Sequence, residues 1–401
     1  MGLLDLLNAY GAYKRYKAMG DDRPSIAFYS EMGSDRIYFE GIMRRLIQDY
    51  NQKILYFTSG KNDPLLKEPP DGMLPFYVGE GMVRTMLFME LDVPLFVMTL
   101  SDLDTLLLKR SPYGTHYAYI FHSLVSTHMV YRHGAFDGYD TLFCVGPHHE
   151  REIREAEKIF NTPAKTFVQH GYPRIDKIMA DYQTYLKKPP KRAEPDTPNI
   201  VVAPSWGVNS ISDRCANALV EILLNQGYYV TFRPHPMTLR QQKNMRQVME
   251  ARFKKYEKFA FDDDIANTRS LFEADIMICD WSGVALEFGL GTEKPIVFID
   301  VPPKRRNDRF SEFKAKPIED TLRTELGVIC APDALQSLPE TIEALIRQKD
   351  VIQQRIATLR EATVYNIGKA DEVGARELMK LLEARNTQKS PEAKVPETTP
   401  V

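Results

Sequence analysis

Cysteine is scarce in this 401-residue chain: Cys144, Cys215, Cys279 and Cys330 stand far apart, with no C-x-x-C pair among them. Such spacing builds neither a disulfide framework nor a thiolate zinc cage. Cys144 and Cys279 lie in apolar runs, where a thiol acts as a small hydrophobe, and a reducing, cytoplasmic compartment is the expectation. No apolar run approaches the roughly 18–20 residues that a spanning helix needs. The first residues have no leader pattern of basic start, apolar centre and small-residue cleavage site. MGLLDL also puts Leu6 where a myristoylation motif requires Ser or Thr. Charge of one sign is not in excess: the formal net charge is −2, so no global field draws nucleic acid or anionic lipid. Missing too are G-x-G-x-x-G, G-x-x-x-x-G-K-[ST] and G-x-S-x-G, the marks of dinucleotide folds, P-loop NTPases and many α/β hydrolases. Neither H-x-x-x-H nor a Cys/His cluster points to zinc. No metal and no resident cofactor are expected, with the acidic run at 262–264 the one feature that argues for a divalent ion.

What is present is an ordinary globular composition, 43% apolar and 26% charged, long enough for a sizeable core and two or three domains. Residues 1–20 form an amphipathic helix with Leu3, Leu4, Leu7, Tyr10 and Tyr13 near one face and Lys14, Arg15 and Lys17 behind them. It either docks on the domain or meets a membrane surface. From residue 25, short apolar strands at 25–29, 53–58, 94–99, 116–122, 141–145 and 165–169 alternate with helical stretches. Residues 181–199 break that rhythm with Pro, charge and no periodicity. Alternation restarts with strands at 199–203, 228–233, 259–261, 275–279 and 295–299, and helices at 335–348 and 350–385 close the ordered part. Strands alternating with helices predict parallel sheets covered on both faces. The expected division is an N-terminal helix over 1–24, a Rossmann-like domain over 25–185, a linker over 186–198, a second Rossmann-like domain over 199–385 and a disordered tail over 386–401. The fold class is therefore α/β, two Rossmann-like domains facing a cleft.

Ligands of such sheets bind beyond the carboxyl ends of the strands, and the chemically loaded stretches fall there. DIMICDWSG sets Asp280, Trp281, Ser282 and Gly283 between a strand and a helix start, where unpaired N–H groups and the helix dipole suit a phosphate. The plainer alternative is an N-cap. RPHP delivers Arg233 and His235 to a strand end between two prolines, an arrangement fit for phosphate contact or proton transfer. IFHS ends a strand of the first half at His122, a candidate general base, with His116, His128 and His133 nearby. HGYPRID presents Arg174 and Asp176 in a loop near the cleft mouth. APSWG offers Ser205 and Trp206 to a base or diphosphate, and PPKRRNDRF offers Lys304, Arg305, Arg306 and Arg309 to an anion or simply to solvent.

The order APSW, RPHP, DDDI, LFEADIMICDWSGVALEF and KPIVF, preceded by GAFDGYDTLFCVG and HGYPRID, resembles the CDP-glycerol glycerophosphotransferases, the teichoic-acid-type primases and polymerases. The likeness spans roughly residues 115–300. It implies a GT-B fold, an acceptor-binding first domain and a nucleotide-donor-binding second domain. It implies transfer of glycerol phosphate, or a related polyol phosphate, from a CDP-activated donor to a hydroxyl of a lipid-linked or glycan acceptor. CMP is released, in teichoic-acid or capsule-type cell-envelope synthesis. By resemblance His122 is the base, His235 contacts the phosphate and Ser282 binds it. Arg233, Gly283, Asp280, Ser205, Trp206 and Arg174 are the further donor-site candidates, and Lys304, Arg305 and Arg306 the acceptor or anion contacts. The family commonly has Gly after the base; here Ser123 follows. A GT-B glycosyltransferase using a nucleotide-sugar is the alternative. Partners expected are the CDP-polyol, the acceptor and a membrane surface touched by residues 1–20, with no nucleic acid; the setting is cytoplasmic or peripheral at the inner membrane face.

Overall fold

The computed structural model describes residues 2–104, 108–264 and 267–389. Ile265 of the acidic segment and residues 390–401 of the expected tail lie outside these. Among the described residues, two sheets hold all the strands. The first has β1 (Ile26–Ser30), β2 (Ile54–Thr58), β3 (Met73–Tyr77), β4 (Leu95–Met98), β5 (His116–Ile120), β6 (Thr141–Cys144) and β7 (Thr166–Gln169). The second has β8 (Asn199–Val202), β9 (Tyr229–Phe232), β10 (Phe259–Phe261), β11 (Ile276–Cys279), β12 (Ile296–Ile299) and β13 (Gly327–Cys330). Their orders are β3-β2-β1-β4-β5-β6-β7 and β10-β9-β8-β11-β12-β13. Every pairing is parallel. Winding reverses between β1 and β4 in one sheet and between β8 and β11 in the other, the points where such sheets bind ligands.

Side chains of successive strand residues point to opposite faces, and both faces are buried. Ile26, Phe28, Ile54 and Tyr56 enter one apolar cluster, while Ala27, Tyr29, Leu55 and Phe57 enter the larger one on the other face. The edge strands β3 and β13 escape a search for apolar runs. β3 carries Pro75, which an edge tolerates, and three of its five residues are exposed or partly so; β13 starts on Gly327 and exposes Val328 and Ile329.

Residues 350–385, expected as a single helical stretch, divide in two: Lys349–Thr363 and Ala370–Lys389. Between them Asn366 and Gly368 adopt positive φ, and the second helix returns to the first sheet. Its Ala375, Leu378 and Leu382 pack with Ile26, Phe28 and Ile54. Asp176 anchors the return by accepting from the N–H groups of Gly368 (2.7 Å) and Ala370 (3.0 Å). This last helix therefore belongs to the layer of the first sheet, although the sequence groups it with the second. The N-terminal helix, Leu3–Ala18, buries Ala9, Ala12, Tyr13 and Tyr16. The leucine face stays out: Leu3, Leu4 and Leu7 are 74%, 76% and 57% exposed.

Candidate active site where the sheets meet

The second sheet builds its half of the site at its switch point. Strands β8 and β11 lie side by side there, with Ile278 paired to Val202, so APSWG and DWSG emerge as neighbours. Asp280, buried, ties them together: its Oδ1 accepts from Ser205 N (2.7 Å) and its Oδ2 from Ile211 N (2.9 Å). Its carboxylate shapes the loop that carries Trp206. Ser282 occupies the N-cap of the Gly283–Thr292 helix, yet its hydroxyl makes no cap hydrogen bond. A plain end-cap is therefore not its role, and the hydroxyl remains a donor beside the helix's positive end. Trp281 turns away, donating from Nε1 to Val301 O (2.7 Å) beneath the Arg323 guanidinium.

His235 caps the Pro236–Gln241 helix by accepting from Met237 N at Nδ1 (3.0 Å). An accepting Nδ1 places the proton of the neutral ring on Nε2, which becomes a donor. The ring lies 6.0 Å from that of Trp206, and Lys304 Nζ sits 2.9 Å above the Trp206 ring centre on its own account. Burial, then Lys304, lowers the His235 pKa to about 4. Burial, then Arg306, lowers Lys304 to about 8, against a pull upward from Asp280. Lys304, expected among the acceptor contacts, thus stands with Trp206 and His235, which are expected on the donor side.

Arg233 does not join them as a lone cation. It is 9% exposed and pairs with Asp262, the residue just past the neighbouring strand β10, and donates to Ser270 Oγ (3.2 Å). Asp262 also accepts from Ser270 Oγ (2.5 Å). Part of the acidic run thereby serves an ion pair, and Asp263 likewise accepts from Arg246. Among the described residues no group of His, Cys, Asp and Glu is placed to hold a metal ion.

The first sheet contributes His122, two residues beyond β5. Its Nδ1 lies 3.1 Å from Thr99 O and 3.0 Å from Tyr119 Oη. A carbonyl can only accept, so Nδ1 carries the proton and Nε2 keeps its lone pair. Tyr38 and Tyr131 wall the ring at 6.0 and 5.8 Å. Burial lowers its pKa to about 4, opposed by the Thr99 bond and by Glu287. His116 instead bonds Thr141 Oγ1, and His128 donates to Ala315 O between Phe310 and Phe313, so both have structural partners. His133 packs edge-on against Phe160.

The two halves touch at this point. A Cβ on Gly283 would stand 3.0 Å from Ser123 Oγ, so Gly283 leaves the room that Ser123, next to His122, occupies. Tyr172 Oη lies 3.0 Å from His122 O and 2.8 Å from Glu287 Oε1, and Arg174 Nε donates to Glu287 Oε2 (2.7 Å). Arg174 is thereby committed to a cross-half ion pair, its pKa held up chiefly by Glu287. Below His122, Ser126 donates to Glu319 (2.6 Å), whose pKa burial raises to about 7, and Thr127 donates to Glu152 (2.8 Å). Arg306 N donates to Met129 O (3.0 Å), seating the basic loop on this same segment, while Arg305 lies over Phe310. Glu287, Tyr172 and Ser123 are the site residues that motif reading passed over. One signal existed: a lone carboxylate inside the otherwise uncharged helix GVALEFGLGT.

Residues 125–305 match the family described as CDP-Glycerol:Poly(glycerophosphate) glycerophosphotransferase. The resemblance drawn from the order of the motifs is shown by that match. Trp206, His235, Ser282 and Lys304 all fall inside the matched segment, and His122 just before it. No curated protein matches the chain by sequence. Among solved structures it is similar to the wall teichoic acid polymerase TagF, with a TM-score of 0.57 and 14% identity over 95% of this chain and 96% of that one. It is also similar to the UDP-GlcNAc 2-epimerase of Methanocaldococcus jannaschii (TM-score 0.58, 13% identity, 89% and 99% covered). A third likeness is to HepE of Anabaena, solved with UDP and glucose (0.53, 9%, 90% and 100%). At these identities the structural likenesses establish the architecture: two parallel α/β domains of the GT-B type.

Proposed function

We propose that this chain is a CDP-glycerol glycerophosphotransferase-type enzyme, moving glycerol phosphate or a related polyol phosphate from a CDP-activated donor to a hydroxyl in cell-surface polymer synthesis. The family match supports the reaction class. The observation that carries the site is the contact of Ser123, beside His122, with Gly283, at the phosphate-suited helix start.

In this reading His122 Nε2 takes the proton of the acceptor hydroxyl as its oxygen attacks the polyol-bearing phosphorus. The new P–O bond forms as the bond to the bridging oxygen breaks, and CMP leaves with that oxygen. Charge grows on the leaving phosphate and the equatorial oxygens. His235 Nε2–H, the Ser282 hydroxyl and the amides opening the Gly283–Thr292 helix face that charge, each good donor being worth about 3 kcal/mol in the transition state. Trp206, with Lys304 on its face, borders the nucleotide portion. Asp280, Arg174 and Arg233 act as positioning residues, because their charged atoms are spent on Ser205 and Ile211, on Glu287, and on Asp262. Positive helix ends and side chains supply the electrostatics, so the reading needs no divalent ion.

Among the described residues no helix is long and apolar enough to cross a membrane. We place the enzyme at the inner membrane face through the exposed leucines Leu3 and Leu4, where a lipid-linked acceptor is presented. The decisive experiment offers the purified chain CDP-glycerol, CDP-ribitol and UDP-sugars with a glycerol-phosphate-primed acceptor. CMP released only with a CDP-polyol and acceptor together supports the reading. Nucleoside diphosphate released from a sugar donor replaces it with glycosyl transfer.

A further inference from the structure

The Leu3–Ala18 helix lies along β3 and leaves between them an open groove of about 1020 Å³. Leu7, Leu66, Leu74 and Phe76 supply apolar walls, Arg15 and Lys61 supply cations and Asp5 supplies one carboxylate. Arg15 stacks over Phe76 (5.4 Å), while Lys61 is 3.9 Å from Asp5 and largely exposed. The groove ends at Tyr77, at the carboxyl end of β3, and Lys61 and Asn62 lie just beyond the carboxyl end of β2. It therefore opens on the same edge of the first sheet as His122. Four strand spacings separate β3 from β5, a distance on the order of 20 Å.

Gly11 also lines this groove, in the middle of the helix. Glycine is among the poorest helix formers, so an interior one needs a reason. The usual reasons are missing: a Cβ at Gly11 meets nothing within 4 Å, and the backbone there is ordinary helix. No neighbour excludes a side chain. The missing side chain leaves that stretch of the groove open.

We infer that this groove holds the hydrocarbon chain of the lipid-linked acceptor, with Lys61, at the end beyond the carboxyl edge of β2, meeting the phosphate beside that chain. The inference rests on the transferase reading above. Apolar walls match the chain, the lining's cations outnumber its one carboxylate, Asp5, and the elements proposed to hold the donor all lie on the other sheet. The separation adds a requirement: the acceptor's headgroup must extend by roughly 20 Å from lipid phosphate to reacting hydroxyl. The groove thus selects acceptors that already carry an extended head.

The test compares one acceptor head with and without a short, water-soluble alkyl phosphate tail, in the absence of vesicles. Gly11→Phe fills the groove, Gly11→Ala controls for helix stability, and Lys61→Glu reverses a cation. Gly11→Phe is expected to raise KM for the tailed acceptor about tenfold, equivalent to about 1.4 kcal/mol of lost contact, and to leave the tailless one unchanged. Gly11→Ala is expected to leave both unchanged, and Lys61→Glu to raise KM for the tailed acceptor alone. Equal KM for tailed and tailless acceptors in the unmodified chain overturns the inference. So does a Gly11→Phe protein that matches the unmodified chain on both, including the case where it differs only once vesicles are added. A chain that releases no CMP from any CDP-polyol overturns the transferase reading itself, a result distinct from these.

Discussion

His122 and His235 stand at the carboxyl edges of the two sheets, each half-buried, each held neutral with a pKa near 4. They nevertheless present opposite chemistry. Thr99 O accepts from His122 Nδ1 and leaves Nε2 as a lone pair. Met237 N donates to His235 Nδ1 and leaves Nε2 as an N–H donor. One backbone atom, a carbonyl in one case and an amide in the other, decides which ring takes a proton and which offers one. Residue type is therefore uninformative here without the neighbour that sets the tautomer.

Removing the base tests this contrast most severely. His122→Ala is expected to lower kcat by about 10²–10⁴ while donor affinity by calorimetry stays near that of the unmodified chain. An equal loss of donor binding would falsify the division of labour. Next in size is the contact joining the halves. Glu287→Ala leaves Arg174 and Tyr172 without their buried partner and is expected to cost about 3–5 kcal/mol in urea unfolding, with Glu287→Gln milder. Stability unchanged in both would show that the halves are held together elsewhere.

On the donor side, His235→Ala is expected to reduce kcat/KM by about 10²-fold, the effect of losing one transition-state donor. His235→Asn keeps the N-cap acceptor, so it should recover the cap's share of stability, about 1 kcal/mol, without recovering the rate. Recovery of both would reduce His235 to a cap. The smallest effect is that of pH. Burial holds His122, His170 and His235 at about 4 in the folded chain, whereas unfolded histidines titrate near 6.5. Between about 6.5 and 4 the unfolded state binds protons that the folded state refuses, so stability falls as pH falls through that window and is flat just above it. The acid limb of kcat/KM should likewise lie below 6.5. A melting temperature constant from pH 7 to 4.5, by calorimetry, contradicts these assignments.

Legibility followed the strength of the local signal. Buried strands of four or five apolar residues announced both sheets, and the motifs at their ends announced the donor loops. Edge strands β3 and β13 did not, because exposure on one side dilutes the apolar run and Pro75 and Gly327 read as breakers. The leucine face of the first helix suggested docking on the domain or contact with a membrane. It is the small and aromatic face, Ala9, Ala12, Tyr13 and Tyr16, that docks: Tyr16 meets Phe57 edge-on and Tyr13 donates to Glu90. Arg233 was read as a phosphate contact from its place after a strand, but the strand beside it ends in Asp262, and a buried guanidinium takes the nearest carboxylate.

Sequence alone determined the two parallel sheets, the family likeness of the second, and the placement of Ser282 and His235 at strand ends, because these depend on patterns within a few residues. Tertiary structure decided which histidine keeps a lone pair at Nε2 and which an N–H, which cations are already paired, and that Ser123 lies against Gly283. Apart from the Met237 amide, two residues past His235, the deciding atoms lie from 23 to about 160 positions apart along the chain, brought together only when β4 pairs with β5, β9 pairs with β10 and the two halves close on each other.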